Sequence, residues 1–465
     1  MPDKTGLIAC IASRSLLAVC SLLALPAIAQ ADPWRVKTAA EMPDWLTVSG
    51  SGRLRYETLD GQFRPARDGG DQMSSARTAV LAEARFNPVT IGVEVLDARI
   101  LEADTDVTAG TSEVNALEVI QAFAAVSTDT AAGKVEVTAG RFTMELGSRR
   151  LVGTSNFNNV PAAYTGARLD WTAPEGPSVT AFYTLPVAVR PFDRPSILDN
   201  DRKADSQSAD TRFYGLFASL PKVAVQGDLE LMALRLEEVD DGDLATRDRR
   251  TTTLAARFFR EPRPGRFDYE FEASYQSGKA GASTAAADIT DLKVKAGYAH
   301  LELGYRWTVK WSPRVSAEFD YGSGDKDRTD REFGRFDSLF GPRRPDFGPG
   351  GLYGPLARSN VMSPGVRLEV TPAKRLDATV FYRGLWLDQS RDAFGSTGLR
   401  DPAGRSGTFA GHQIEGRARY WLVPGNIRLE VGAAALIQGD FLKSVPGRTG
   451  EGDTLYGYSD LTFTF

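Results

Sequence analysis

N-V-M-S-P-G-V-R-L-E-V, residues 360–370, alternates in twos: Met362, Val366, Leu368 and Val370 share one parity, and Ser363, Gly365, Arg367 and Glu369 share the other. Beyond Thr371-Pro372-Ala373-Lys374 the alternation restarts, with Leu376, Ala378, Val380, Tyr382 and Trp386 apolar and Arg375, Asp377, Thr379 and Arg383 between them. Two further runs, 411–422 and 426–437, meet at Pro424-Gly425, and the chain closes on Leu461, Phe463 and Phe465 of one face. A period of two means strands with unlike faces. Here one face is charged and the other is continuously apolar. A soluble sandwich wets its outer face and dries its inner one; the inverse, lipid outside and water inside, is a transmembrane β-barrel.

Reading outward from this stretch predicts the same pattern along the chain. Strands are expected at 46–58, 75–86, 89–101, 114–128, 134–144, 164–173, 177–187, 210–221, 227–238, 248–259, 266–277, 292–309 and 313–323, followed by the final five. The parity of 89–101 slips near Asp97, as a bulge would make it. In 114–128, Val114, Leu117, Gln121 and Ala124 would equally suit a helix; a strand is expected because its neighbours need a partner there. Short connections (87–88, 129–133, 174–176, 222–226, 261–265, 310–312, 372–374, 423–425) alternate with long ones, of which 324–358 is the longest. An even strand number, about 18, with short periplasmic turns and long extracellular loops is the outer-membrane pattern. Closure also satisfies every backbone N–H and C=O, which lipid requires. Tyr56, Trp171, Tyr183, Tyr321, Trp386 and Tyr420 fall near strand ends, as an interfacial girdle would, and Phe465 suits a signal to barrel-assembly machinery.

Residues 1–31 read as a cleaved signal peptide: Lys4, an apolar run from Leu7 to Leu25, then Ala29-Gln30-Ala31. Residues 32–45 form an irregular lead-in, and 46–465 the barrel. Both cysteines, Cys10 and Cys20, lie in the leader, so the mature chain would have neither disulfide nor thiolate metal site. Mean hydropathy is −0.26, and no 18-residue apolar run follows residue 31, so no transmembrane helix is expected. Of the 55 basic residues 43 are arginine, the residue that grips carboxylates and phosphates at two points.

Candidates for catalysis are sparse. The chain has two histidines: His300 lies mid-strand on the polar parity, and His412 follows a long loop on the apolar one. A barrel hydrolase would need such a residue beside Asp or Ser at the outer rim, and an enzyme is not expected. Asp325, Asp327 and Asp330 lack the glycine and closing glutamate of an EF-hand and read as a solvated loop. No phosphate-binding motif sits on a strand–turn–helix unit, so neither cofactor, metal nor nucleic acid is expected.

The polar parity carries Arg53, Arg55, Arg77, Arg85, Arg168, Arg306, Arg367, Arg383, Arg417, Arg419 and Arg428, interleaved with Glu57, Glu83, Asp170, Glu302, Glu318, Asp320, Glu369, Glu415 and Glu430. Two readings follow. The arginines form a salt-bridge lattice that stiffens the wall, or some project unpaired into the lumen and select anions by a positive field in a narrow aqueous space.

At residues 140–153, G-R-F-T-M-E-L-G-S-R-R-L-V-G resembles the bacterial alginate export family of outer-membrane barrels, through Gly140, Arg141, Gly147, Arg149, Arg150 and Gly153. Asn156-Phe157-Asn158-Asn159, D-Y-G-S-G-D at 320–325, F-D-S-L-F-G-P at 336–342, G-H-Q-I-E at 411–415 and I-Q-G-D-F at 437–441 extend the resemblance. Phe142 and Leu146 depart from it. The resemblance implies an 18-stranded, arginine-lined pore that passes a uronic-acid polysaccharide outward, gated by loops and a periplasmic turn and served by periplasmic secretion partners. The conduit residues are then Arg53, Arg55, Arg77, Arg85, Arg168, Arg367, Arg383, Arg417, Arg419 and Arg428. The rival reading is a diffusion porin for small anions, for which 324–358 could fold into the lumen.

Overall fold

The computed structural model describes residues 33–465 except 155–156, 225–226, 241–243, 286 and 345. The expected signal peptide and Asn156 lie outside the described residues. A single sheet of 19 strands closes on itself, from β1 (Leu46–Asp60) to β19 (Thr454–Thr464), which pair antiparallel from Ser51↔Thr464 to Asp60↔Leu455. One member, β14 (Glu332–Phe333), is a two-residue strip lying parallel to β12 (Leu292–Arg306) where β12 outruns β13 (Arg314–Gly322). The remaining eighteen form an antiparallel barrel in sequence order. In order they continue as β2 (Gly70–Phe86), β3 (Val89–Ala103), β4 (Asn115–Thr130), β5 (Gly133–Phe142), β6 (Tyr164–Thr172), β7 (Ser178–Pro186), β8 (Thr211–Ala224), β9 (Gly227–Glu238), β10 (Arg250–Arg260) and β11 (Arg266–Ala280). The last group is β15 (Val361–Ala373), β16 (Leu376–Trp386), β17 (Phe409–Val423) and β18 (Ile427–Gln438). Among the described residues, three single-turn helices, α1 (Val36–Ala39), α2 (Arg194–Leu198) and α3 (Asp440–Ser444), lie in the connections and not in the sheet, α1 inside what reads in sequence as an irregular lead-in.

Burial confirms the inverted faces. Along β1, Leu54 and Tyr56 are half exposed on the outside while Arg53, Arg55 and Glu57 are buried within. The first loop is shorter than its composition suggests, because the β1–β2 ladder runs to Asp60↔Gly70. In β4, the apparent helical spacing arises from irregular pairing: Glu94 faces Gln121 but Val95 faces Val119, so Ile120 is extra, and Ala98 faces Asn115 after Leu96 faces Glu118. Extra residues on one strand shift its parity, which makes period two look like period 3.6. The slip near Asp97 belongs to the same irregularity.

The first described residues and the C-terminal strand meet at the short-turn rim, where the Phe465 and Gly50 backbones exchange hydrogen bonds of 3.0 Å and Asn426 holds Trp34 and Thr464. Long connections cluster at the other rim. Among them, 143–163 and 323–360 turn inward and fill the lumen. Phe347, Leu352, Tyr353 and Leu356 of the second join Phe63, Phe157, Leu385, Phe394 and Phe441 in a buried apolar cluster.

Candidate functional site

The lumen is built by strand side chains below and by the two inward segments above. Asp346, at the tip of 323–360, is the hub. Its carboxylate receives Arg150 Nε at 2.9 Å and Arg358 at 2.5 Å, and its carbonyl receives Arg383 from β16. Arg150 also binds Glu272 of β11 at 2.8 Å and contacts Glu270. Burial alone would push the Asp346 carboxyl up, but the charges of Arg150 and Arg358 hold it well below the usual carboxylate range. The hub therefore stays ionised and joins two loops to the wall.

Four further ties fasten the same segment. Arg344 meets Glu430 at 3.1 Å and the Tyr458 hydroxyl at 2.5 Å. The Leu352 N–H donates to Glu57 at 3.1 Å, and the Tyr353 hydroxyl donates to Gln413 at 2.8 Å. Arg64, on the loop after β1, donates to the Tyr353 carbonyl at 2.6 Å. Burial pulls its pKa down to about 10, with Asp71 opposing and Arg343 and Arg67 adding to the fall. The other inward segment is held by Arg53 and Arg55: both donate to the Phe157 carbonyl, at 2.9 and 2.6 Å, and the Arg55 guanidinium lies 3.6 Å over the Phe157 ring.

Seen against these ties, the conduit arginines divide. Arg55 pairs with Asp460 at 2.5 Å, Arg85 with Glu83 at 3.2 Å, Arg168 with Asp170 at 2.6 Å and Arg367 with Glu318 at 2.8 Å. Arg383 reaches Asp320 at 3.5 Å, Arg419 meets Asp377 at 2.8 Å and Arg428 lies 3.9 Å from Glu430. Among the described residues, Arg77 and Arg417 have no carboxylate within ion-pair distance. Arg77 stands directly across from Arg53 on the neighbouring strand. Arg417 lines a cleft of about 60 Å³ with Arg344, Arg367 and Glu415, directly under Gly348. A larger cavity of about 810 Å³ opens at the short-turn end against β2 to β6, with Glu83, Asp129, Glu136 and Asp170 interleaved with Arg85, Lys134 and Arg168. It ends at Phe142 and Thr143, where the inward segment 143–163 begins.

The motif residues have separate duties. At Gly140, φ is +124° and a Cβ would strike the Ala122 carbonyl. Arg141 keeps the outer parity of β5 and reaches Glu118 at 3.1 Å and Gln207 at 2.7 Å, so it anchors the 187–210 loop. Gly147 also has positive φ, +54°, and Gly153 abuts the Arg149 side chain. Arg149 remains partly exposed, 3.8 Å from Glu145. Only Arg150 enters the lumen network.

His300 is enclosed in the wall, with Nδ1 2.8 Å from Asp320 and Nε2 3.7 Å from Glu302. His412 stacks on Tyr382 of the outer face, its Nδ1 2.9 Å from that hydroxyl. The two histidines thus belong to different faces of the barrel. The Asp346 hub was not legible in the alternation, because loops have no parity. A hint did exist in the loop's content: Phe347, Leu352, Tyr353 and Leu356 are too apolar for a solvated loop.

Solved structures share the barrel. A BenF-like porin from Pseudomonas fluorescens Pf-5 superposes with a TM-score of 0.59 at 11% identity, covering 90% of this chain and 98% of that one. Pseudomonas aeruginosa OpdO gives 0.58 at 13%, covering 92% and 99%, and P. aeruginosa OccK8 (OprE) 0.56 at 11%, covering 90% and 98%. At such identities the likeness is one of fold. No curated protein matches the chain. The sequence match is to a family: residues 44–454, nearly the whole barrel from the start of β1 to the start of β19, fit the alginate export family. With its closed 18-stranded wall and its lumen occupied by inward loops, the chain belongs to the alginate export family of outer-membrane channels.

Proposed function

We propose that this outer-membrane channel exports an anionic, uronic-acid polysaccharide, alginate-like in chemistry, from periplasm to exterior. The observation that carries the reading is the cleft under the 323–360 segment. There Arg417 has no ion pair among the described residues, while Arg344 and Arg367 beside it are tied to Glu430 and Glu318, which leaves the Arg417 guanidinium available to an anion in the lumen. Fixed guanidinium groups in a narrow aqueous space attract carboxylates and hold none of them tightly if they are spaced along the path. Arg77 beside Arg53 supplies a second such place. Conduction then requires the 323–360 segment to leave the lumen. In this reading the barrel carries no catalytic step, the polymer arrives from periplasmic secretion partners, residues 1–31 direct export and are removed, and Phe465 is read by the barrel-assembly machinery.

A second reading is favoured by one observation: with both segments folded inward, the lumen is divided into separate cavities of about 810 and about 60 Å³, which suits a porin for small solutes. Planar-bilayer recording separates the two. Anion-preferring current that polyuronate blocks, weakened in Arg417→Ala, supports the exporter. Cation preference, or current indifferent to polyuronate, sinks it and leaves the small-solute porin.

A further inference from the structure

Lysine is scarce in this chain, 12 residues against 43 arginines. Three of the lysines nevertheless meet on one patch of the outer wall. Lys279 of β11 stands directly across from Arg250 of β10 on one side and from Lys293 of β12 on the other; Lys295 is two residues further along β12. All four share the outward parity of Leu254, Tyr275, Leu301 and Leu303, the exposed apolar residues of the same strands. They occupy the ends of those strands near the long loops, just beyond the apolar belt.

The row continues through neighbouring strands. Arg212 of β8 faces Glu237 of β9, which faces Arg250, and Lys293 faces Glu332 of β14. Asp291 accepts from both Arg250 and Lys279 at 2.7 Å, while Lys295 contacts Glu332 and Arg235 contacts Glu237 at 3.1 Å. Six cations thus share three carboxylates, an excess of three, and Lys293 has no ion pair among the described residues. Like charges directly opposite in a ladder, with Cβ atoms about 5 Å apart, repel and weaken the pairing. Such an arrangement on a lipid-facing wall calls for an anion from outside the protein.

We infer that this patch binds the phosphorylated headgroup of a lipid in the leaflet at the long-loop rim. The acyl chains of such a lipid would lie along Leu254, Tyr275 and Leu301, and its phosphates would sit among Lys279, Lys293 and Lys295. Compact ammonium groups suit phosphate as point charges, and basic clusters at a membrane surface attract anionic headgroups. The lumen plays no part, so the site is independent of what the channel carries.

The test uses the full barrel in detergent, with native mass spectrometry reading retained lipid. The probe is bisphosphorylated lipid A, with phosphatidylcholine as the uncharged-net control. Wild-type barrel should retain lipid A over phosphatidylcholine. The triple variant K279Q/K293Q/K295Q should bind lipid A on the order of 100-fold more weakly, as loss of three surface charges predicts. The variant K222Q/K310Q, altered at the opposite rim, should bind as wild type. Heat-modifiable migration in a gel shows that each variant is a closed barrel; if the triple variant fails to close, K293Q alone is used and should weaken binding severalfold. Equal retention by wild type and the closed lysine variants would overturn the inference. So would full displacement of lipid A by inorganic phosphate at equal concentration, since the site would then be one for the free ion.

Discussion

Arg150 and Asp346, 196 residues apart in sequence, form a two-point ion pair inside the barrel, Nε to Oδ2 at 2.9 Å and a terminal nitrogen to Oδ1 at 3.0 Å. One residue comes from the family motif and the other from the longest loop, so the pair joins the two segments that fill the lumen. Removing one member of a buried pair strands the other and costs about 3–5 kcal/mol. Asp346→Ala strands Arg358, whereas Arg150 keeps Glu270 and Glu272. Asp346→Ala is therefore expected to release the 323–360 segment and raise single-channel conductance severalfold. Conductance equal to wild type would mean that the pair does not hold the lumen shut.

Gly341 offers a test by shape alone. A Cβ there would run into the Arg150 carbonyl. Overpacking of this kind costs about 1–3 kcal/mol where the backbone must shift. Gly341→Ala should mimic Asp346→Ala in conductance while leaving every charge in place. If it behaves as wild type, the contact between the segments is looser than the geometry indicates.

The paired and unpaired arginines should separate in measurement. Arg55 and Asp460 are both buried, at 2.5 Å, so Arg55→Ala should destabilise the barrel by about 3–5 kcal/mol in urea titrations. Arg417 has no such partner among the described residues. Arg417→Ala should change stability by less than about 1 kcal/mol and Arg417→Glu should shift reversal potential toward cations. A reversal potential unmoved by charge inversion at Arg417 would remove it from the ion path.

Glu113, in the loop between β3 and β4, predicts a pH dependence. Burial, then repulsion from Glu57, pushes its carboxyl up to about 7, against hydrogen bonds from the Gly110 N–H and the Ser112 hydroxyl. The folded protein thus binds a proton that the unfolded chain has lost above its ordinary value near 4.5. This contribution to stability is full below about 4.5 and is lost as pH rises through about 7, up to about 3 kcal/mol in all. Melting temperature should fall between pH 5 and pH 8, and Glu113→Gln should flatten that slope. An unchanged slope in the variant would assign the effect to other groups.

The lipid face can be tested at Leu301, half exposed on the outer wall in mid-strand. Leu301→Arg should cost about 2–4 kcal/mol of barrel stability in lipid. A negligible cost would place that position outside the hydrocarbon band.

The alternation of Met362, Val366 and Leu368 against Arg367 and Glu369 determined the wall by itself, because a strand's faces are fixed by period two wherever one face must meet lipid. Turn chemistry at Asn87-Pro88 and Pro424-Gly425 fixed which strands pair, since neighbours joined by so few residues can only be antiparallel. Where extra residues enter β4, the period broke and the reading became ambiguous, although pairing demanded a strand. Parity placed Arg55, Arg367 and Arg417 on the inner face, yet it could not give them neighbours. Whether an arginine meets Asp460, Glu318 or open space depends on strand stagger and on what hangs into the barrel. That was decided by tertiary structure alone: Asp346, Arg358 and Leu352 lie in a loop with no period to read, and they reach Arg150 and Glu57 only because the closed wall brings distant segments within hydrogen-bond distance.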